Sequence, residues 1–354
     1  MTTAEAIARR RAVAKEADRL PSPYLLFLGD VDDPRFAKTA FGLKDWAPER
    51  CVGEWASTTG GLSVGLPAMR PAQAHAAGAR SLLIGVANIG GVVPDAWIAP
   101  ILEALEAGLD VVAGLHVRLG DVPELRDAAE RCGRRLVDVR VPPPGLPIAT
   151  GRRRSGKRLL TVGTDCALGK KYTALAIARA LATRGLAADF RATGQTGIMI
   201  AGGGIPMDAV VSDFEAGAAE LLSPDAHPGH WDVIEGQGSL FHPAYAAVSL
   251  GLLHGSQPDV LVVCHEVGRT EILGYPGFAV PAIEEAIALN LRLGRLTNPA
   301  VRCGGISLNT SGLDAAAADA LLASEGERLG LPVADPIRGG PTFERLVDAC
   351  LGSA

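Results

Sequence analysis

The sequence predicts an α/β protein: a Rossmann-like N-terminal domain followed by a P-loop NTPase-like domain built on a parallel sheet. Three observations carry this. Short apolar runs alternate with helical patterns along almost the whole chain, and such alternation makes parallel strands covered by helices on both faces. The run Pro142-Pro143-Pro144 interrupts the pattern, since consecutive prolines fit neither a helix interior nor a central strand. Beyond that break, one strand–loop–helix segment has the residue pattern of a phosphate-binding loop.

In the first part, residues 1–141, the apolar runs 24–28, 81–86, 110–113 and 136–139 are expected strands, with helices at 101–107 and 123–131. The glycine-rich stretch 85–91 follows a strand and reads as a tight turn or a ligand loop. Residues 142–156 read as a Pro/Arg-rich linker; the basic run 152–158 is either solvated or placed to hold a distant phosphate. From 157 to 354 the alternation resumes as a P-loop-type domain. Strands are expected there at 158–162, 187–191, 232–234, 259–264 and 301–308. Helices are expected at 171–183, 214–222, 244–253, 279–291, 314–329 and 343–351.

The segment Gly163-Thr164-Asp165-Cys166-Ala167-Leu168-Gly169-Lys170-Lys171-Tyr172-Thr173 follows one of these strands and opens a helix. Backbone N–H groups and a helix N-terminus face an anion there, and Lys170 adds a full positive charge. A nucleotide-hydrolysing loop places Ser or Thr after the lysine, because that hydroxyl is a magnesium ligand. Here the residue is Lys171. Two adjacent ammonium groups favour a bare polyanion, so the loop is read as holding phosphates without a metal and without hydrolysis. Thr173 restores a hydroxyl only if the helix start shifts.

Composition narrows the partners. With 354 residues, 48% hydrophobic and 21% charged, the chain has the makeup of a soluble two-domain protein. A formal net charge of −5 argues against general binding to nucleic acid or acidic membrane. The six cysteines, Cys51, Cys132, Cys166, Cys264, Cys303 and Cys350, form no C-x-x-C pair, so neither a zinc site nor a disulfide framework is indicated. Residues 1–20 form a charged, helix-like segment without a signal core, and no run approaches the ~20 apolar residues of a membrane span. The expectation is a cytoplasmic protein with reduced thiols.

In open α/β sheets, ligands bind beyond the carboxyl ends of the strands. In the second part those ends carry Thr193-Gly194-Gln195-Thr196, Glu235-Gly236-Gln237-Gly238, His265-Glu266 and Asn309-Thr310. One crevice is expected to hold them with the phosphate loop. Glu235 reads as a metal ligand, a general base, or an acceptor fixing backbone N–H groups. His242 and His265 are the histidines nearest this edge. Asp213 reads as a helix N-cap or a catalytic group.

The pattern Gly163-Thr164-Asp165-x-x-x-Gly169-Lys170, with Glu235-Gly236-x-Gly238, resembles elements of dethiobiotin synthetase. That resemblance implies a lysine on ATP phosphates, a glutamate helping to hold magnesium, and an asparagine reading adenine, the role Asn309 would match. Longer segments resemble a more specific family, the DgcN-type D-glutamate N-acetyltransferases, formerly uncharacterised proteins. They are 192–213, 235–243 and 253–259, joined by 29–53 and 108–116 in the first part. This resemblance spans nearly the whole chain. It implies a Rossmann-like domain with a P-loop domain, acetyl-CoA as cosubstrate, and an amino acid, D-glutamate in the named members, as acceptor. Lys171 departs from the synthetase pattern but suits an acyl carrier with a pyrophosphate.

On this reading the P-loop residues from Gly163 to Thr173 and Asn309 hold the carrier, with Lys170 and Lys171 on its pyrophosphate. Glu235 or His242 removes the amine proton, and N–H groups of the Gly236-Gln237-Gly238 turn face the oxyanion. Gln195, Thr196 and Gln237 orient the substrate, and Arg191 or Arg269 pairs with a carboxylate. No metal is expected. Cys166 raises the alternative of an acetyl-cysteine intermediate. The rival functions are an ATP-dependent ligase or carboxylase of the dethiobiotin synthetase kind, and a nucleotide-dependent switch. The expected partners are a small amino-acid substrate and further copies of the chain, since most such enzymes are symmetric assemblies.

Overall fold

Every ladder in both sheets is parallel, as the strand–helix alternation requires. The computed structural model describes residues 20–58, 61–86 and 90–352 and divides into two units. Residues 1–19 of the expected N-terminal helix, and 87–89 of the glycine-rich stretch, lie outside the described residues.

The first unit comprises Met1–Pro143 and Gly194–Ala209. Its sheet contains β1 (Tyr24–Gly29), β2 (Cys51–Ala56), β3 (Ser81–Ile84), β4 (Asp110–Ala113) and β5 (Leu136–Asp138), in the order β2-β1-β3-β4-β5. Strand β1 is buried from end to end, and the Phe27 ring meets Trp55 at 5.3 Å and Trp97 at 5.7 Å. Strand β2 is absent from the sequence expectation because Gly53 and Glu54 dilute its apolar signal. Glu54 is buried there because its carboxylate accepts the N–H groups of Val64 (2.8 Å) and Leu66 (3.2 Å).

The chain leaves the second unit after Thr193 and returns to it at Val210. Between these points the helix Gln195–Ala201 buries Ile198, Met199 and Ile200 in the first unit. Gln195 and Thr196, expected as substrate residues, are taken up within this unit. Thr196 Oγ1 hydrogen-bonds Thr39 Oγ1 at 2.8 Å, and the Gln195 side chain lies against Gly114, where an added Cβ would stand 2.0 Å from Oε1.

The second unit comprises Pro144–Thr193 and Val210–Ala354. Its strands are β6 (Lys157–Gly163), β7 (Ala188–Arg191), β8 (Trp231–Ile234), β9 (Val260–Glu266), β10 (Arg302–Asn309) and β11 (Val333–Ala334), in the order β11-β10-β9-β6-β8-β7. Strand β6 lies where the order reverses, with β8 on one side and β9 on the other. The loop after a strand so placed is where open sheets receive ligands.

The basic run at the amino end of β6 is solvated at Arg152, Arg153 and Lys157 but buried at Arg154 and Arg158, and it is not placed for a phosphate at the loop. Arg154 is 4% exposed and donates to Ser223 O (2.8 Å) and Gly255 O (2.7 Å). Arg158 is fully buried and donates to Ser155 O at 2.8 Å, while Arg152 and Arg153 pair with Asp225 and Asp259. A strand of this length puts the run about 20 Å from the opposite sheet edge. Asp213 is likewise not an N-cap: the helix Ser212–Leu222 begins one residue earlier, with Val211 as its cap, and Asp213 sits in the first turn.

The helices Ser212–Leu222 and Ala246–Ser256 approach closely because Gly255 lacks a side chain; a Cβ there would lie 2.2 Å from Ala216 O. Gly255→Ala is expected to cost about 1–3 kcal/mol through overpacking and to lower the thermal midpoint by several degrees. Gly312→Ala, with open space around the added methyl, is the control and should shift it by less than about 0.5 kcal/mol. A melting experiment on both variants checks this.

Candidate active site

The phosphate loop leaves β6 at Gly163 and closes on Gly169, whose φ of 110° suits only a residue without Cβ; the helix Lys170–Thr183 begins there. Thr164 and Asp165 face inward. Thr164 N–H donates to Cys264 O (3.2 Å), and Thr164 Oγ1 hydrogen-bonds His265 Nδ1 (2.9 Å). The Asp165 carboxylate, fully buried, accepts from Cys166 N–H (2.6 Å), Leu273 N–H (2.8 Å) and Arg269 Nη1 (2.8 Å). Arg269 also donates to Cys166 O (2.7 Å) and pairs with Glu266. Arg269 therefore braces the loop, with two carboxylates already on its guanidinium, rather than standing ready for a substrate carboxylate.

The two lysines part company. Lys170 is 6% exposed and its Nζ donates to Asp165 O at 2.6 Å, inside the loop. Burial pushes its pKa below the ordinary lysine value. The Lys171 ammonium lies over the Tyr172 ring, 4.4 Å from its centroid. Thr173 does not restore a loop hydroxyl. It is 3% exposed, and its Oγ1 hydrogen-bonds Ser307 Oγ at 2.8 Å.

The neighbouring strand ends lock onto this loop. Glu235 is 4% exposed and accepts Thr193 N–H at Oε2 (2.9 Å), while Thr193 Oγ1 donates to Glu235 O (2.6 Å). Of the three roles open to Glu235, fixing a backbone N–H is thus one it performs. Gln237 Nε2 donates to Thr193 Oγ1 (3.0 Å), and Ser239 Oγ donates to Gly163 O (2.9 Å). Gly236 is pressed against β6 and Lys170: an added Cβ would lie 1.7 Å from Thr161 O and 3.1 Å from Lys170 Cδ. Its N–H is already given to Thr161 Oγ1 (2.9 Å), so it is not an oxyanion donor.

His242 is 2% exposed, and its Nδ1 accepts the N–H of Ala244 at 3.1 Å. Tyr245 and Tyr275 pack on the ring, with centroids at 4.5 and 4.9 Å. Polar atoms of Asp165, Cys166 and His242 all lie within 4.8 Å of one another. A second such group, Asp189, His230 and Asp232, surrounds Arg191, whose Nε meets Asp232 (2.7 Å) and Nη2 meets Asp189 (2.9 Å). Arg191 is neutralised on its own strand pair and is not aimed at a ligand carboxylate. Asn309 ends β10, its Oδ1 accepting Ser311 N–H at 3.1 Å.

Burial raises the Cys166 thiol pKa above its ordinary value, against the pull of Lys170. The His265 imidazole is held below its ordinary value, by burial first and by Arg269 second. The sequence reading missed Thr193 and Ser239 as locking hydroxyls, and the meeting of His242 with Cys166. Thr193 carried a usable signal, being a hydroxyl residue at a strand's carboxyl end beside a glycine.

Two outcomes follow from this packing. Asp165→Ala removes one of the two carboxylates on Arg269 and leaves the N–H groups of Cys166 and Leu273 without their acceptor, and is expected to cost about 3–5 kcal/mol, read as a lower urea midpoint with an unchanged slope. For His265 the unfolded ring binds a proton near pH 6.5 while the folded ring resists it. Stability is therefore greatest above that pH and falls as pH drops through it. His265→Gln should flatten the part of that loss due to this ring, measured as the variant-minus-wild-type midpoint at pH 7.5 and about 5.5.

The geometry has close counterparts. Models of the two DUF1611 domains, each described as of unknown function, match residues 49–142 (Rossmann-like) and 147–347 (P-loop). A relative from Tritonibacter scottomollicae, named D-glutamate N-acetyltransferase, is 49% identical over 330 residues, which cover 93% of this chain and 98% of the relative. A Pseudoalteromonas sp relative of the same name is 46% identical over 322 residues, 91% and 97% of the two chains. The crystal structure of a DUF1611 family protein from Anabaena variabilis superposes with a TM-score of 0.83 at 33% identity, over 93% of this chain and 99% of that one. With both domains and nearly the full length matched, the chain belongs to the DUF1611 family.

Proposed function

We propose that this protein is an N-acetyltransferase that moves acetyl from acetyl-CoA to the amino group of D-glutamate. Its phosphate loop would receive the phosphates of the carrier. The identity to two D-glutamate N-acetyltransferases over more than nine-tenths of the chain supports the reaction. The observation that supports the choice of carrier is the absence of a hydroxyl at the position after the loop lysine. Lys171 stands where a hydrolase needs Ser or Thr, and Thr173 is spent on Ser307. A loop of that chemistry suits a diphosphate held by N–H groups and Lys170 better than a magnesium–nucleotide complex.

In this mechanism the substrate nitrogen attacks the thioester carbonyl carbon, a C–N bond forms, and the C–S bond breaks. Glu235, the residue after β8, is the group we assign to take the amine proton, which then passes to the departing thiolate. Asn309 offers its amide hydrogens to the adenine, its oxygen being held by Ser311. Arg191 and Arg269 are each paired with two carboxylates, so we do not assign them to the substrate. Cys166 is a weak candidate nucleophile, because burial disfavours its thiolate. Direct transfer therefore fits better than an acetyl-enzyme.

The deciding experiment presents acetyl-CoA and magnesium-ATP separately, with a panel of D- and L-amino acids. Thiol release that depends on D-glutamate is expected; ADP formation instead would establish a ligase. Lys170→Ala should raise KM for acetyl-CoA at least about tenfold, the loss of a charge-assisted hydrogen bond, with a smaller effect on KM for the amino acid. An acetyl adduct on the protein after exposure to acetyl-CoA alone, seen by intact-mass spectrometry, would overturn direct transfer.

A further inference from the structure

We infer that Tyr245, Leu273 and Phe278 form an apolar strip at the rim of the phosphate loop, on which the acyl carrier lays the amide-bearing chain that joins its diphosphate to the thioester. This role rests on the acyl-transfer reading and separates such a carrier from a plain nucleotide.

The strip is tied to the loop from two sides. The segment after β9 doubles back on itself, with Ile272 N–H on Phe278 O (2.8 Å) and Val280 N–H on Thr270 O (3.0 Å). Ile272 is buried, and the N–H of Leu273 is held by Asp165 Oδ2 at 2.8 Å. Arg269, at the base of the same segment, donates to Cys166 O at 2.7 Å. The backbone that carries Leu273 and Phe278 is therefore fastened to the phosphate loop. Tyr245 comes from the segment after β8, its ring 4.5 Å from that of His242 and tilted by 31°. His242 in turn meets Tyr275 at 4.9 Å, and Tyr275 meets Phe278 at 6.2 Å. One run of rings thus crosses from segment to segment, and a ring nitrogen of His242 lies within 4.8 Å of side-chain atoms of Asp165 and Cys166.

Tyr245, Leu273 and Phe278 are each just over half exposed. A single exposed apolar side chain needs no explanation, but a group of them beside a binding loop marks a surface that a ligand covers. A magnesium nucleotide ends at its phosphates and has nothing to lay there. An acyl carrier continues past its diphosphate through methyl groups, methylenes and amides before it reaches the sulfur. Such a chain is held by apolar contact and an occasional hydrogen bond. Leu273 and Phe278 offer the first, and the Tyr245 ring adds a phenol that can donate to an amide oxygen.

Calorimetric titration of the full-length protein with coenzyme A, and with 3′-phospho-ADP, the fragment left when that chain is removed, tests the strip. Wild type should bind coenzyme A at least about tenfold more tightly than the fragment. Tyr245→Ser, Leu273→Ser and Phe278→Ser should each weaken coenzyme A about fivefold, and the last two combined more than about tenfold. The fragment's Kd should move less than about twofold in every variant. Leu273→Met, which keeps the apolar surface, should bind as wild type does. Equal losses for both ligands, or no loss of coenzyme A affinity in the combined variant, overturn the inference. A combined variant whose mass by light scattering differs from that of wild type places the strip between copies of the chain, and overturns it too. If wild type binds neither ligand, the carrier reading itself fails and takes the strip with it. Wild type that binds coenzyme A while the variants match it sinks the strip alone.

Discussion

A buried carboxylate shapes the loop on which the site is built. Asp165 has no exposure to solvent, and an ionised group so placed survives only if its lone pairs are met. It meets them with one N–H of its own loop, one N–H from residue 273 and the guanidinium of Arg269. The last two bonds join the segment after β6 to the segment after β9. They also set Arg269 against Cys166 O and leave the Asp165 carbonyl turned toward Lys170. The curl of the phosphate loop and the seating of its lysine thus follow from one side chain, placed two residues after the strand.

The rest of the edge is held by hydroxyls and missing side chains. Thr161, Thr193 and Ser239 each tie one strand end to another through a main-chain oxygen or N–H. Gly236 lets β8 run against β6 at a separation no side chain would permit. Such bonds lie in a region of low water content, where they are strong and directional. They fix the strand ends against one another around the phosphate loop.

Much of this was legible in the sequence, and the exceptions have physical causes. Strands such as Tyr24–Gly29 and Val260–Glu266 announce themselves because parallel strands buried on both faces are nearly continuous apolar runs. The phosphate loop is legible because its glycines, lysine and following helix are local in the chain. The helix Gln195–Ala201 is not, because its polar start beside a strand end looks like a ligand loop, while its burial depends on partners far away in sequence. Arg191 and Arg269 mislead for the same reason. An arginine near a sheet edge reads as a carboxylate receptor, and only tertiary structure supplies Asp189, Asp232, Asp165 and Glu266 to occupy it. The basic run 152–158 looks like a solvated stretch because spacing does not show that Arg154 and Arg158 cap main-chain oxygens.

Lys170 gives the arrangement its direction. An ammonium shut away from water is costly, and a single carbonyl oxygen from Asp165 offsets only part of that cost, which is why its pKa is pushed down. The nearby charge of Arg269 pushes the same way, while Asp165 is largely committed to Arg269. A phosphate oxygen entering among the loop N–H groups would give Lys170 a charge-assisted bond. The carboxylate of Asp165, the guanidinium of Arg269 and the seating of Lys170 are thus parts of one arrangement, in which the side chain that fixes the loop also turns its own carbonyl to the lysine.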